Sequence, residues 1–386
     1  MMYNNLPENW IMRELKDFLD YEQPQKYIVS STDYSEDYKT PVLTAGKSFV
    51  LGNTNETSGI YSDLPVIIFD DFTTASKYVD FPFKVKSSAL KILKTNDSDL
   101  NLKYFSYFMQ FNKFEPSTHK RYWISDYSKI KIAIPYFNGK PDYKEINYIV
   151  KTLDAVAEMI KLRKETIQLT QDLIPAIFQE MFGNFRGNEP IKKHVIVNPP
   201  KALLNDNEEV SFLSMADVSV DGYILSSKRR RYSDVRNGFS SFMNDDVILA
   251  KITPCYENGK GAIVRDLING IGFGSTEFYV LRCDKQYILP EYLFYLLRSD
   301  DFMALGKCHM KGAAGQKRLD KLFLQNFGIT YPSLSQQEEF AKKVEQINQN
   351  LEVQQKDLER LQELFDQLLQ KAFTGELTRG EAYGII

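Results

Sequence analysis

Residues 145–182 read EINYIVKTLDAVAEMIKLRKETIQLTQDLIPAIFQEMF, and residues 335–375 read SQQEEFAKKVEQINQNLEVQQKDLERLQELFDQLLQKAFTG. In the first stretch Ile146, Leu153, Ile160, Ile167, Ile174 and Met181 recur every seven residues. Ile149, Val156 and Ile177 fill the second seam position, with Arg163 and Thr170 as polar exceptions. In the second stretch Phe340, Ile347, Leu361 and Leu368 hold one position, with Gln354 polar, and Val344, Leu351, Leu358, Phe365 and Ala372 hold the other. An apolar seam kept over about five heptads predicts a helix that pairs along its length. Each helix is roughly 55 Å long at 1.5 Å per residue. Gly183 and Gly375 follow the last turns, where helices commonly stop. Pro175 should kink or restart the first helix. A lone stripe of this kind fits a core helix or a homodimer zipper. Two matching stripes in one chain favour intramolecular, antiparallel pairing.

The repeat extends upstream of both helices. Lys129–Pro135 precedes the first and Gln325–Pro332 the second. Before these lie the cationic stretches His119-Lys120-Arg121 and Gln316-Lys317-Arg318, the aromatic segments Lys103–Phe108 and Glu291–Leu296, and the strand-like runs Ser87–Leu93 and Thr276–Leu281. A period of about half the chain means two similar domains, each ending in a long helix. The rest of each half alternates short β-rich runs with Gly, Asn and Asp turns. The expected class is therefore α+β: two β-rich domains joined by two long helices packed as an antiparallel coiled coil, in a pseudo-two-fold repeat. The expected boundaries are 1–144, 145–185, 186–334 and 335–377.

Composition constrains the rest. The chain has 386 residues, 43% hydrophobic and 26% charged, an ordinary globular balance spread over two or three domains. No apolar run approaches the 20 residues needed to span a bilayer, and the first residues lack a basic stretch and an apolar core, so neither a membrane span nor a secretory signal is expected. Cys255, Cys283 and Cys308 are odd in number and widely spaced, which suits reduced thiols in a cytosol. Cys308-His309 lacks further ligands, so no metal site is expected. Net charge is −3, but the acidic excess lies on the helical stretches 145–185 (−2) and 335–377 (−4), while 186–334 carries +3.

Catalytic motifs fail one by one. Gly46-Lys47-Ser48 ends like a P-loop, but Pro41 stands where the motif needs glycine. Gly270-Ile271-Gly272-Phe273-Gly274 does not lead into a helix and reads as a turn or bulge. Asn198-Pro199-Pro200-Lys201 has lysine where an adenine methyltransferase needs an aromatic to stack on a flipped base, and reads as a linker turn. Asp70-Asp71 and Asp245-Asp246 read as turn and cap residues rather than metal ligands.

Nucleic-acid signals are stronger. Lys228-Arg229-Arg230-Arg231-Tyr232 packs four cations together, a self-repelling run that a polyanion would relieve. Lys311, Gln316, Lys317 and Arg318 sit in a Gly-threaded segment that lets backbone approach a phosphate. In the first half, Thr44–Thr57, with Lys47, Asn53 and Asn55, is rich in side chains that hydrogen-bond base edges, or else forms a polar hairpin loop. Lys84 and Lys86 alternate on a strand near Lys77, and Lys120 and Arg121 form the first cationic stretch. The scaffold residues are Leu153, Ile160, Ile167, Ile174, Ile347, Leu351, Leu358, Leu361 and Leu368.

With these residues assembled, the chain resembles, end to end, the specificity subunit of a type I restriction–modification system. The resemblance is carried by Asp172–Gly183, Ile329–Glu338 and Leu368–Leu377, with Pro41–Lys47 and Gly312–Arg318 similar to target-recognition segments. It implies a non-catalytic, cytoplasmic subunit that reads a bipartite, asymmetric site in double-stranded DNA, one half per recognition domain. Two methyltransferase subunits and the restriction–motor subunits would be its partners, and S-adenosylmethionine, ATP and magnesium would belong to them. A coiled-coil adaptor whose globular domains bind protein is the alternative.

Overall fold

The computed structural model describes residues 6–44, 48–112, 114–183, 185–313 and 315–379. The chain divides into two compact units, residues 1–164 with 356–386, and residues 165–355. The organising helices are α1 (Leu102–Phe111), α2 (Tyr143–Phe182), α3 (Pro290–Leu297) and α4 (Leu334–Thr374). Helix α2 contributes its first part to the first unit and the rest to the second, and α4 does the reverse.

Local chemistry starts and stops the long helices where they begin and end. The Asp142 carboxylate accepts the amides of Lys144 and Glu145, satisfying donors that open α2. Ser333 and Gln336 form a reciprocal capping box at the start of α4. Gly375 follows α4 with φ +72°, the left-handed cap conformation that glycine adopts at no steric cost. Helix α2 runs through Pro175 without a break, so the expected restart does not occur.

In the first unit the four-stranded antiparallel sheet has the spatial order Leu19–Glu22, Leu90–Thr95, Val66–Asp70, Ser76–Val79. A smaller sheet runs Val50–Thr54, Thr40–Leu43, Lys84–Val85, its first pair antiparallel and its second parallel. Strand Trp10–Glu14 pairs with Lys131–Phe137 below the start of α2. Tyr104, Phe105 and Phe108 of α1, Leu153 of α2 and Phe373 of α4 share one core. Glu145, also buried, accepts hydrogen bonds from Trp10 Nε1 at 2.9 Å and Thr378 Oγ1 at 2.6 Å.

The second unit repeats this plan. Its four-stranded sheet runs Val195–Val197, Phe278–Cys283, Val247–Ala250, Gly261–Ile263, the same order in chain terms. Its smaller sheet runs Lys228–Arg231, Glu209–Leu213, Ile271–Gly274, Ser240–Met243, again antiparallel and then parallel across the first two pairings. Strand Arg186–Pro190 pairs with Gly328–Ile329 as Trp10–Glu14 pairs with Lys131–Phe137. Within the Gly270–Gly274 run, Ile271–Gly274 is an interior strand, whereas Gly270, at φ +70°, ends the turn before it. A Cβ on Gly272 would lie 2.1 Å from the Phe242 ring and one on Gly274 2.4 Å from the Leu213 carbonyl, so glycine lets neighbours close in.

Within each unit the two long helices run antiparallel. In the first, Ile146–Leu153 meets Leu369–Phe373, and Arg163 pairs with Asp357 at 2.5 Å. In the second, Ile174 and Phe178 meet Phe340 and Val344, while Gln354 Nε2 donates to Thr170 Oγ1 at 3.1 Å. Both polar exceptions in the first seam are therefore matched by polar partners. Leu153, Ile174, Leu351 and Leu358 are buried, and Ile160, Ile167, Ile347, Leu361 and Leu368 are half-buried. The architecture is α+β, with duplicated β-rich domains joined by long antiparallel helices.

Candidate nucleic-acid interface

Lys228–Arg231 is the edge strand of the smaller sheet in the second unit, and all four side chains are exposed. Side chains alternate across a strand, so the run splits into Lys228 and Arg230 on one face and Arg229 and Arg231 on the other. Arg229 pairs with Glu209 of the adjacent strand at 2.8 Å, and the Arg230 guanidinium lies 5.9 Å over the Phe212 ring. The sequence reading treated four cations as one repulsive block. The pleat and Glu209 relieve part of that repulsion within the fold.

The topological counterpart in the first unit is Val50–Thr54. Asn53 is half-buried there, and Asn55, one residue beyond, is exposed. Lys47 lies outside the described residues. Lys77 is exposed, with its ammonium 4.7 Å over Phe49, and Lys86 reaches Tyr34 Oη at 3.4 Å. Lys84 corrects the reading of an alternating cationic track. It is buried, ion-paired with Glu56 at 3.0 Å and donating to the Ser58 carbonyl at 2.6 Å. Its ammonium fastens a loop and is not available to a phosphate.

The cationic stretches occupy equivalent places. The amide after Arg121 donates to the Asp71 carbonyl, and the amide after Arg318 donates to the Lys251 carbonyl, each at 2.8 Å. Asp71 and Lys251 directly follow the equivalent strands Val66–Asp70 and Val247–Ala250. In the first unit Lys120 pairs with Asp126 at 2.8 Å, while His119 stacks on Phe72 and the Arg121 guanidinium lies 5.8 Å over the same ring. The Asp71 carboxylate accepts the Trp123 amide at 2.8 Å and sits 3.4 Å from Lys91, both groups buried. In the second unit Gln316 and Lys317 are exposed, Lys311 pairs with Asp320, and Arg318 grips Glu277 through Nε at 2.9 Å and Nη2 at 2.8 Å. Arg318 thus serves the hairpin in a bidentate pair.

The Arg318 hydrogen bond holds the Glu277 carboxyl below the usual carboxylate range. A depressed folded-state pKa gives stability that is present above the unfolded value, about 4.3, and lost as pH falls through the folded one. Glu277→Gln should therefore flatten the acid limb of a melting-temperature profile below about pH 4.3. An unchanged limb would remove this pair from acid unfolding.

The acidic pairs act as turn residues. Asp70 accepts the Phe72 amide and the Thr73 hydroxyl, and Asp246 accepts the Met243 amide while forking onto Arg282. Asn198 accepts the Val280 amide at 3.1 Å, ending its strand. Among the described residues no group of three or more His, Cys, Asp or Glu side chains could hold a metal. No helix there is long and apolar enough to cross a membrane. The sequence reading missed Glu209, Glu277 and Phe72 as partners of the candidate cations. Asp71 was legible only as a turn residue.

Residues 198–370 match the type I restriction modification DNA specificity domain. That domain takes in the edge strand Lys228–Arg231, the Lys311–Arg318 segment and most of α4. The Escherichia coli type I restriction enzyme EcoR124I/EcoR124II specificity subunit is 48% identical over 164 residues, 41% of this chain and 38% of that protein. The Escherichia coli EcoAI specificity subunit is 40% identical over 144 residues, 37% of this chain and 24% of that protein. The chain thus spans well under half the length of these relatives. The S subunit of a type I restriction–modification system from M. genitalium shares the fold over 97% of this chain and 98% of its own, with TM-score 0.54 and 15% identity. A chain from a structure concerned with assembly of the type I R–M system does so with TM-score 0.56 and 14% identity. The chain is therefore similar, over its second half, to type I restriction modification DNA specificity domains, and it shares the fold of solved S subunits end to end.

Proposed function

We propose that this chain is the non-catalytic, DNA-reading subunit of a type I restriction–modification complex and recognises a bipartite, asymmetric duplex site, one half per β-rich domain. One observation carries the reading: the two units share strand order and pairing sense, yet their equivalent edges bear different side chains. A common frame with divergent surfaces suits two unlike half-sites. Two methyltransferase subunits, and restriction–motor subunits for cleavage, are the proposed partners. S-adenosylmethionine, ATP and magnesium would be theirs. The outer side of α2 supports a scaffold role. Met159 and Leu162, three residues apart in the first unit, and Leu169 and Leu173, four apart in the second, are 49–68% exposed, and each pair has the spacing that suits a partner helix. The cytosol, where DNA is reached and Cys255, Cys283 and Cys308 stay free, is the proposed location.

The test is duplex binding by the chain co-expressed with its methyltransferase, titrated with salt. Affinity should fall linearly on a log–log plot, by about 10³–10⁵ between 50 and 200 mM salt if six to ten phosphates are met. A protein-binding adaptor would bind no duplex in a salt-dependent way.

A further inference from the structure

The smaller sheets can be read against each other position by position. Gly52 lies opposite Val42, which pairs in parallel with Lys84; Lys228 lies opposite Phe212, which pairs in parallel with Phe273. Gly52, Asn53 and Thr54 therefore occupy the positions of Lys228, Arg229 and Arg230. Asn55 and Arg231 come one step further on. Residues 50–55 carry no charge, whereas 228–231 carry four positive charges, of which Glu209 offsets one. The cationic stretches 119–121 and 316–318, by contrast, keep two cations each at equivalent places, with one in each ion-paired. Electrostatically, the two domains differ chiefly along this edge.

Two further details bear on what the edges do. The Asn53 carbonyl already accepts the Ser35 amide at 3.1 Å, and Tyr34 packs against Gly52, so this edge is covered on its backbone side and offers side chains instead. In the other domain Arg231, on the outermost strand, lies directly opposite Glu209, but Arg229 engages that carboxylate at 2.8 Å. The DNA major groove, about 12 Å wide, admits a two-stranded β-ribbon. Asparagine can bond adenine edges bidentately, whereas a cluster of Lys and Arg neutralises phosphates whatever the bases.

We infer that the edge strand of the smaller sheet faces DNA in both recognition domains and that the two edges divide the work: Arg230 and Arg231 grip phosphates at one half-site, and Asn53 and Asn55 hydrogen-bond base edges at the other. This rests on the DNA-binding reading above. The domains then differ in kind of contact as well as in target sequence, and salt acts mainly through the second.

The test uses the full chain with its methyltransferase subunits, a random-sequence duplex, and the methylated sequence of a host carrying the complex. Arg230→Gln/Arg231→Gln should lower the magnitude of the log–log salt slope by about two, at about 0.9 per lost phosphate contact, with the methylated sequence unchanged. Arg230→Lys/Arg231→Lys keeps both charges and should restore the slope, separating loss of contact from loss of fold. Asn53→Ala/Asn55→Ala should leave the slope on random duplex intact and relax the base preference in one half of the methylated sequence only. A slope unmoved by the glutamine pair, or both halves of the sequence kept by the alanine pair, would overturn the inference while leaving DNA binding in place. A wild-type complex whose duplex binding ignores salt would overturn the DNA-binding reading itself.

Discussion

Phe178→Ala should cost the second unit about 3–5 kcal/mol, the range for removing a fully packed phenyl ring. Phe178 is buried on α2, with Phe182, Phe185, Tyr292 and Phe340 rings at centroid distances of 5.4–6.1 Å. These rings come from α2, from Phe185 just ahead of the strand Arg186–Pro190, and from α3 and α4, so one side chain ties α2 to α3 and α4 and to the entry of that strand. The neighbours are large and mutually wedged, and the site cannot collapse to refill the space. Against a typical total stability of about 5–15 kcal/mol, that loss moves the unfolding midpoint far down in denaturant. Both tryptophans, Trp10 and Trp123, lie in the first unit, so chemical denaturation followed by circular dichroism measures it. A loss below about 1 kcal/mol would mean that the cluster repacks and is not the keystone of the unit.

Lys91→Met should be as damaging to the first unit, for an electrostatic reason. Lys91 and Asp71 are both essentially excluded from solvent, and the Lys91 ammonium also lies 4.2 Å over the Tyr21 ring. Removing one partner strands the other charge in a medium that solvates it poorly, at about 3–5 kcal/mol. The strain falls on Asp71, which holds the Trp123 amide and with it the turn bearing Lys120 and Arg121. Lys91→Met/Asp71→Asn should recover most of the loss, since an asparagine can still accept that amide and no lone charge remains. If the double variant is no better than the single one, packing of the lysine stem, and not its charge, is what the site needs.

Much of the fold was legible because it repeats and because helices advertise themselves. The seam residues, the glycines that follow the helices and the half-chain period are all local patterns or comparisons of local patterns. Strand partners are a different matter. That Lys84 is buried depends on Glu56 and Ser58, brought in by a loop some 26 residues upstream, and alternation with Lys86 gave no hint of it. Gly272 and Gly274 read as part of the turn that Gly270 does form, because glycine usually marks one. Phe242 and Leu213, distant in sequence, make the same glycines necessary inside a sheet. The candidate DNA-facing cations were visible as composition, but whether each is free or already engaged by Glu209, Glu277 or Asp126 was not. Charge clustering is a one-dimensional property, and neutralisation is a three-dimensional one.

A chain built twice on one plan carries a hazard that a single-domain protein escapes. Its two long helices have similar faces, so each could join its own copy in another molecule, or slide by one heptad against its proper mate. The layer formed by Thr170 and Gln354, with Arg163 and Asp357 a step along, guards against both errors. A shifted or self-paired helix would set the buried Gln354 amide against leucine or isoleucine without its bond to Thr170, a penalty of about 1–3 kcal/mol, while the part-exposed Arg163 and Asp357 would lose each other. The polar interruptions that weaken the seam thus act as a lock with one key, keeping newly made chains from knitting into mispaired aggregates before each unit has closed on itself.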